Sequence, residues 1–128
     1  ANVAECDARD IGAYFAAKPG RTIGTKDPVL AKKGEKLFRG GDAVRGLPAC
    51  AGCHSPTGAG IPALYPRIGG QHAEYTLAQL TAFKAGKRSV ATKEDSNASG
   101  KMMAAIASKL TDDEIKALAE YAAGLKTN

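Results

Sequence analysis

Residues 50–54 read Cys50-Ala51-Gly52-Cys53-His54. Two thiols three positions apart, followed at once by an imidazole, form the attachment pattern of a c-type haem. The spacing answers a chemical need. Each thiol adds across one of the two haem vinyl groups, and the turn between them brings His54 beneath the iron as its fifth ligand. A Cys-x-x-Cys pair by itself also suits a redox dithiol or half of a zinc site. The chain holds 3 Cys and 2 His in all, with no second Cys-x-x-Cys and no nearby His pair to complete a zinc site. A thioredoxin-like dithiol would need strands around it. The expected cofactor is therefore one haem c, held by two thioethers through Cys50 and Cys53, with His54 on the metal.

Thioether formation takes place outside the bacterial cytoplasm or in the mitochondrial intermembrane space, so an exported chain is expected. Ala1 opens a polar stretch with neither a basic n-region nor an apolar h-region, so any signal has been removed or preceded this stretch. No apolar run approaches the length of a membrane span, and a soluble protein is expected.

The 128 residues suffice for one domain and an appendage. Aromatic residues make up 5%, Trp is absent and Gly numbers 15, which is thin material for a core built from side chains alone. A haem supplies a large flat apolar body around which short helices can pack, each Å² removed from water contributing about 25 cal/mol. An apo chain is expected to fold poorly.

Outward from the motif the pattern is helical. Asp27-Pro28 combines an N-cap with Pro at the first helical position, and Leu30, Gly34, Leu37 and Phe38 then share one face until Gly40-Gly41. Ala73 to Ala85 carries Leu77, Leu80 and Phe83 at helical spacing and closes at Gly86. Thr111-Asp112-Asp113-Glu114 reads as a capping box with three acids at the positive end of the helix dipole. Ile115, Leu118, Ala119 and Ala122 follow as an apolar stripe. Alternating strand patterns are missing. The expected fold class is all-α. Gly34 beside Phe38, and Leu118 beside Tyr121, further predict a close helix crossing, with glycine admitting the second helix and aromatics packing across it.

The order of these features, with Tyr65-Pro66-Arg67-Ile68 and a later Met, resembles class I cytochrome c. Leu37-Phe38-Arg39-Gly40-Gly41, Pro48-Ala49-Cys50, Gly70-Gln71-His72 and Ala82-Phe83-Lys84-Ala85-Gly86 are similar to the C-terminal haem domain of the dihaem cytochrome c4 family. The resemblance covers roughly residues 26–127. It implies a class I cytochrome c fold over 26–128, with short helices packed around one haem c. It also implies an electron carrier rather than an enzyme, working in the periplasm beside a terminal oxidase or a quinol-oxidising complex. One departure stands out. The family has two haem domains, and this chain has one Cys-x-x-Cys-His. Residues 8–19 look like the last helix of the missing first domain and 20–26 like the linker, so 1–25 is expected to be an extra helical arm. Either the chain is a monohaem protein that keeps this helix, or it is a haem-bearing subunit or fragment of a larger dihaem cytochrome or redox enzyme complex.

Met102, Met103 and His72 are the candidates for the sixth ligand, beside an open position. By resemblance the ligand is Met103, eight residues before Thr111 in the loop preceding the terminal helix, while Met102 serves as core filling. A thioether raises the potential and fills the iron. By resemblance too, the carbonyl of Pro66, twelve residues after His54, accepts the His54 Nδ1–H. Arg67, Gln71 and Tyr75 are candidate propionate partners, or solvated surface.

Formal net charge is +5, which two propionates would bring near +3. Lys32, Lys33, Lys36 and Arg39 line one helix and Lys84, Lys87 and Arg88 cluster later, with no groove-reading element that would fit nucleic acid. Steering toward an acidic partner raises an on-rate without tight affinity. The other option is apolar contact around the haem edge, the commoner surface of small cytochromes. Ile11, Tyr14 and Phe15 give the arm an apolar face, and Cys6 has no partner once Cys50 and Cys53 hold haem. A homodimer through the arm, locked by Cys6, is the expectation there.

Overall fold

The computed structural model describes residues 24–62, 64–87 and 98–126, with backbone alone at 98 and 99. Within them five helices follow one another: α1 (Pro28–Gly40), α2 (Cys50–His54), α3 (Ala73–Lys84), α4 (Ala98–Ser108) and α5 (Asp112–Ala123). Two isolated bridges, Asp42 with Leu47 and Ile61 with Tyr65, are the extended pairings found among the described residues. The fold is all-α, as the periodicity predicts. Among the described residues no helix is long and apolar enough to cross a membrane.

The caps form where the sequence places them. Asp27 Oδ1 accepts the Leu30 N–H at 3.0 Å, with Pro28 at N1. Gly41 ends α1 at φ 62°, passing so close to the carbonyl of Leu47 that a side chain there would overlap it. Thr111 and Glu114 form the reciprocal capping box at the start of α5, at 2.9 and 3.2 Å.

The crossing of α1 and α5 is the backbone of the core. Gly34 faces the Ala117 carbonyl with no room for a methyl group. One turn on, the rings of Phe38 and Tyr121 meet at 5.1 Å and 59°. Phe38, Leu47, Leu110, Ile115 and Leu118 form the buried cluster beside this crossing. Each fully buried side chain of this size contributes about 1.5–3 kcal/mol. Arg45 fastens the 42–47 turn to this corner, pairing with Asp42 and Glu114 and donating to the Lys109 carbonyl at 3.1 Å.

Residues 24–27 are laced onto α5. Gly24 N–H donates to the Ala123 carbonyl at 2.9 Å, and the Glu120 carboxylate accepts from Thr25 Oγ1, Lys26 N and Asp27 N. The arm at 8–19, Cys6 and Arg88 lie outside the described residues.

One local expectation is corrected. Met102 and Met103 sit on α4, not in a loop before the terminal helix. After Gly100 the run Lys101-Met102-Met103-Ala104-Ala105-Ile106-Ala107 contains strong helix formers and no breaker, so the propensity is plainly helical.

Candidate haem site

Cys50, Cys53 and His54 occupy all but two positions of α2, a helix of 5 residues. One turn of helix cannot hold itself together, so its side chains are set by what surrounds them. All three line one mostly apolar cavity of about 440 Å³. The two sulfurs are not joined to each other. Burial pushes the Cys50 thiol up to about 11, so it stays protonated at neutral pH. A redox dithiol works through a lowered thiol, the opposite shift. Among the described residues no group of three or more His, Cys, Asp or Glu side chains is arranged to hold a metal ion.

His54 is 7% exposed, and its Nδ1 lies 2.8 Å from the Pro66 carbonyl. A carbonyl can only accept, so Nδ1 carries the proton and Nε2 keeps its lone pair for a metal. The loop from His54 to Pro66 is wound to allow this. Ser55 leaves α2 at φ 72°, ψ 157°, with its Oγ accepting the Ala59 N–H at 3.0 Å. Gly60 N–H returns to the His54 carbonyl at 2.7 Å. A side chain at Gly60 would overlap Tyr65 and Pro66.

The remaining walls come from far along the chain. Leu80 and Phe83 of α3, Met103 and Ile106 of α4, and Leu118 of α5 face the same space, and Phe38 reaches it from α1. Arg67, Gln71 and Tyr75 line it as well, and Tyr75 is 53% exposed. Of the ten candidate site residues singled out in the sequence, all but His72 are thus brought to one cavity. The candidates for the sixth ligand separate. His72 is exposed at the N-cap of α3 and is not among the lining residues. Both methionines line the cavity, but Met102 is 46% exposed while Met103 is half-buried.

Sequence reasoning missed Tyr65, whose ring stands edge-on to the His54 imidazole with centroids 6.1 Å apart. The neighbouring Cys53 thiol holds its phenol above the ordinary range. Leu80 and Phe83 were visible as an apolar helix face. That the face turns to a cavity, leaving α3 without a fully buried residue, was not. Two thiols and an imidazole with an available Nε2 on one apolar cavity are the donor set that a haem c requires.

The family model described as Cytochrome c matches residues 31–126. Cytochrome c4 of Stutzerimonas stutzeri is 47% identical over 120 residues, covering 93% of this chain and 54% of that protein. The crystal structure of reduced recombinant cytochrome c4 from Pseudomonas stutzeri is similar with a TM-score of 0.79 at 45% identity, over 96% of this chain and 62% of that one. The thiosulfate dehydrogenase (TsdBA) of Marichromatium purpuratum is similar with a TM-score of 0.78 at 35% identity, over 98% of this chain and 26% of that one. The chain spans between 54% and 59% of the length of the first curated relatives it matches.

Proposed function

This chain belongs to the cytochrome c family and carries covalently attached haem c, and from that premise we propose that it is a periplasmic carrier of single electrons. The observation that carries this reading is the convergence of Cys50, Cys53 and His54 on one apolar cavity, with Pro66 fixing the imidazole tautomer. When bound, the haem supplies a one-electron iron couple. The side chains tune and protect it. Pro66 holds the His54 ring and raises its basicity. Met103, on the same cavity, would hold the iron together with His54, and a thioether ligand would favour the reduced state. Arg67, Gln71 and Tyr75 line the same cavity and would hydrogen-bond the propionates. Leu80, Phe83 and Ile106 keep water from the centre. An iron held by two side chains in an apolar cavity would suit electron transfer.

The haem domain covers residues 26–128 and takes in Gly24 and Thr25, which bond to α5. The partners are redox proteins such as a terminal oxidase or a quinol-oxidising complex. A second reading, a haem-bearing piece of a larger dihaem cytochrome or redox enzyme, draws on the length of the relatives and on the likeness to a thiosulfate dehydrogenase.

On a denaturing gel the chain should retain peroxidase-type haem stain, and the pyridine haemochrome should be of the c type with one haem per chain. Redox titration should then follow a single one-electron curve. Haem lost to acid acetone overturns the carrier reading. A stable complex on purification, with the partner holding the substrate site, favours the second.

A further inference from the structure

Tyr65 directly precedes two residues with assigned roles, Pro66 and Arg67, yet its own side chain has no part in the roles above. Its backbone is pinned. Tyr65 N–H donates to the Ile61 carbonyl and Ile61 N–H donates to the Tyr65 carbonyl, both at 2.9 Å. With Gly60 N–H on the His54 carbonyl at 2.7 Å, the loop closes upon α2. The Tyr65 side chain is thereby delivered to the attachment motif. Its ring meets the His54 imidazole at 6.1 Å and 64°, edge to face. The next residue takes the Nδ1–H of the same imidazole at 2.8 Å. Tyr65 and Pro66 together touch the His54 imidazole, one through its ring and the other at Nδ1, and the phenol neighbours Cys53.

A single hydrogen bond at Nδ1 leaves the imidazole free to swing about the line from Nδ1 to the carbonyl. A second contact off that line stops the swing. An aromatic edge set against a ring face does this and adds about 0.5–1.5 kcal/mol of its own. The hydroxyl acts elsewhere. A sulfur that has formed a thioether keeps its lone pairs, so it can accept an O–H bond, though weakly. Such a bond draws electron density from the substituent through which the protein holds the haem.

We infer that Tyr65 is a positioning residue of the haem site, its ring setting the plane of the His54 imidazole and its hydroxyl acting on the neighbouring Cys53 sulfur. The inference rests on the haem c reading above. It assigns the two halves of one side chain to two separable effects, orientation to the ring and electron withdrawal to the hydroxyl.

The test uses the haem-bearing chain with Tyr65→Phe, which keeps the ring, and Tyr65→Leu, which removes both halves. The reduction potential and the ferric haem-methyl NMR pattern, which reports the imidazole plane, are measured for each. Tyr65→Phe should shift the equilibrium with a reference couple about two- to five-fold toward the oxidised form, the size of one weak hydrogen bond, and keep the methyl pattern. Tyr65→Leu should change the methyl pattern as well. Variants that lose thermal stability but keep the parent's potential and methyl pattern overturn the inference alone. A parent chain with no covalent haem overturns the carrier reading and this inference with it.

Discussion

Ser55 bears the backbone strain of the site, at φ 72° and ψ 157°, a region that side chains other than glycine seldom enter. Such a position costs about 1–3 kcal/mol. The Ala59 N–H on its Oγ returns part of that. Ser55→Ala keeps the strain and loses the bond, so it should destabilise by about 1 kcal/mol. Ser55→Gly loses the bond and the strain together, and should match or exceed the parent in urea unfolding. Equal losses in both would show that the residue is unstrained in solution. At the iron, Met103→Ala should abolish the thioether-to-ferric charge-transfer band and lower the potential, whereas Met102→Ala should spare both. Their exposures point the same way, since a ligand is shielded and Met102 is 46% exposed. A reversed pattern would move the ligand to the neighbouring residue.

Between elements, the contact of α1 with α5 has no slack. A methyl at Gly34 meets the backbone of Ala117 and Leu118, which cannot rotate away as a side chain could. Gly34→Ala should cost about 1–3 kcal/mol by overpacking, despite the better helix propensity of alanine. A neutral result would mean that the helices part easily, and the Phe38–Tyr121 contact would part with them. The corner between α4 and α5 is electrostatic. The Arg45 guanidinium pulls the Glu114 carboxyl down to about 2 from 4.5. The unfolded chain therefore takes up a proton there at a higher pH than the folded one does. The pair's stabilisation is complete above about 4.5 and fades as pH falls toward about 2. Glu114→Gln, which can keep the capping box, should cost about 0.5–1 kcal/mol at neutral pH and converge with the parent in acid. Thermal midpoints measured from pH 7 to pH 2 would show it.

For the whole molecule the cavity dominates. An apolar space of about 440 Å³ open to water leaves its lining without the burial on which a marginally stable small domain depends. A Cys50→Ala/Cys53→Ala chain freed of haem should show weak helical circular dichroism and no cooperative melt. A sharp transition would mean that the α1–α5 core folds alone. Docking is a property of the whole surface too. Leu64, Tyr75 and Met102 line the cavity and are 64%, 53% and 46% exposed, an apolar rim at its mouth. Lys32, Lys33 and Lys36 stand exposed on α1. If the rim is the contact, electron-transfer rates should change little as salt rises to physiological strength, where charges are screened beyond about 8 Å. A steep fall would assign docking to the lysines.

Local chemistry was legible in the sequence because local chemistry is short-ranged. Cys-x-x-Cys-His named its cofactor through spacing alone, and Asp27-Pro28 and Thr111 to Glu114 declared their caps, since each needs partners within four residues. The small residue at Gly34 even announced a crossing. What lay beyond the sequence was every relation between distant segments that has no compositional mark. The phenol of Tyr65 against Cys53, the turn of Leu80 and Phe83 toward a cavity, and the clamp of Glu120 on residues 25–27 carry no periodicity or motif. The placement of Met102 and Met103 fell between the two. Their helix is written in local propensity, but a resemblance suggested a loop. Which of the pair is the more shielded is decided by how α4 lies against α3. Packing, not propensity, sets that rotation.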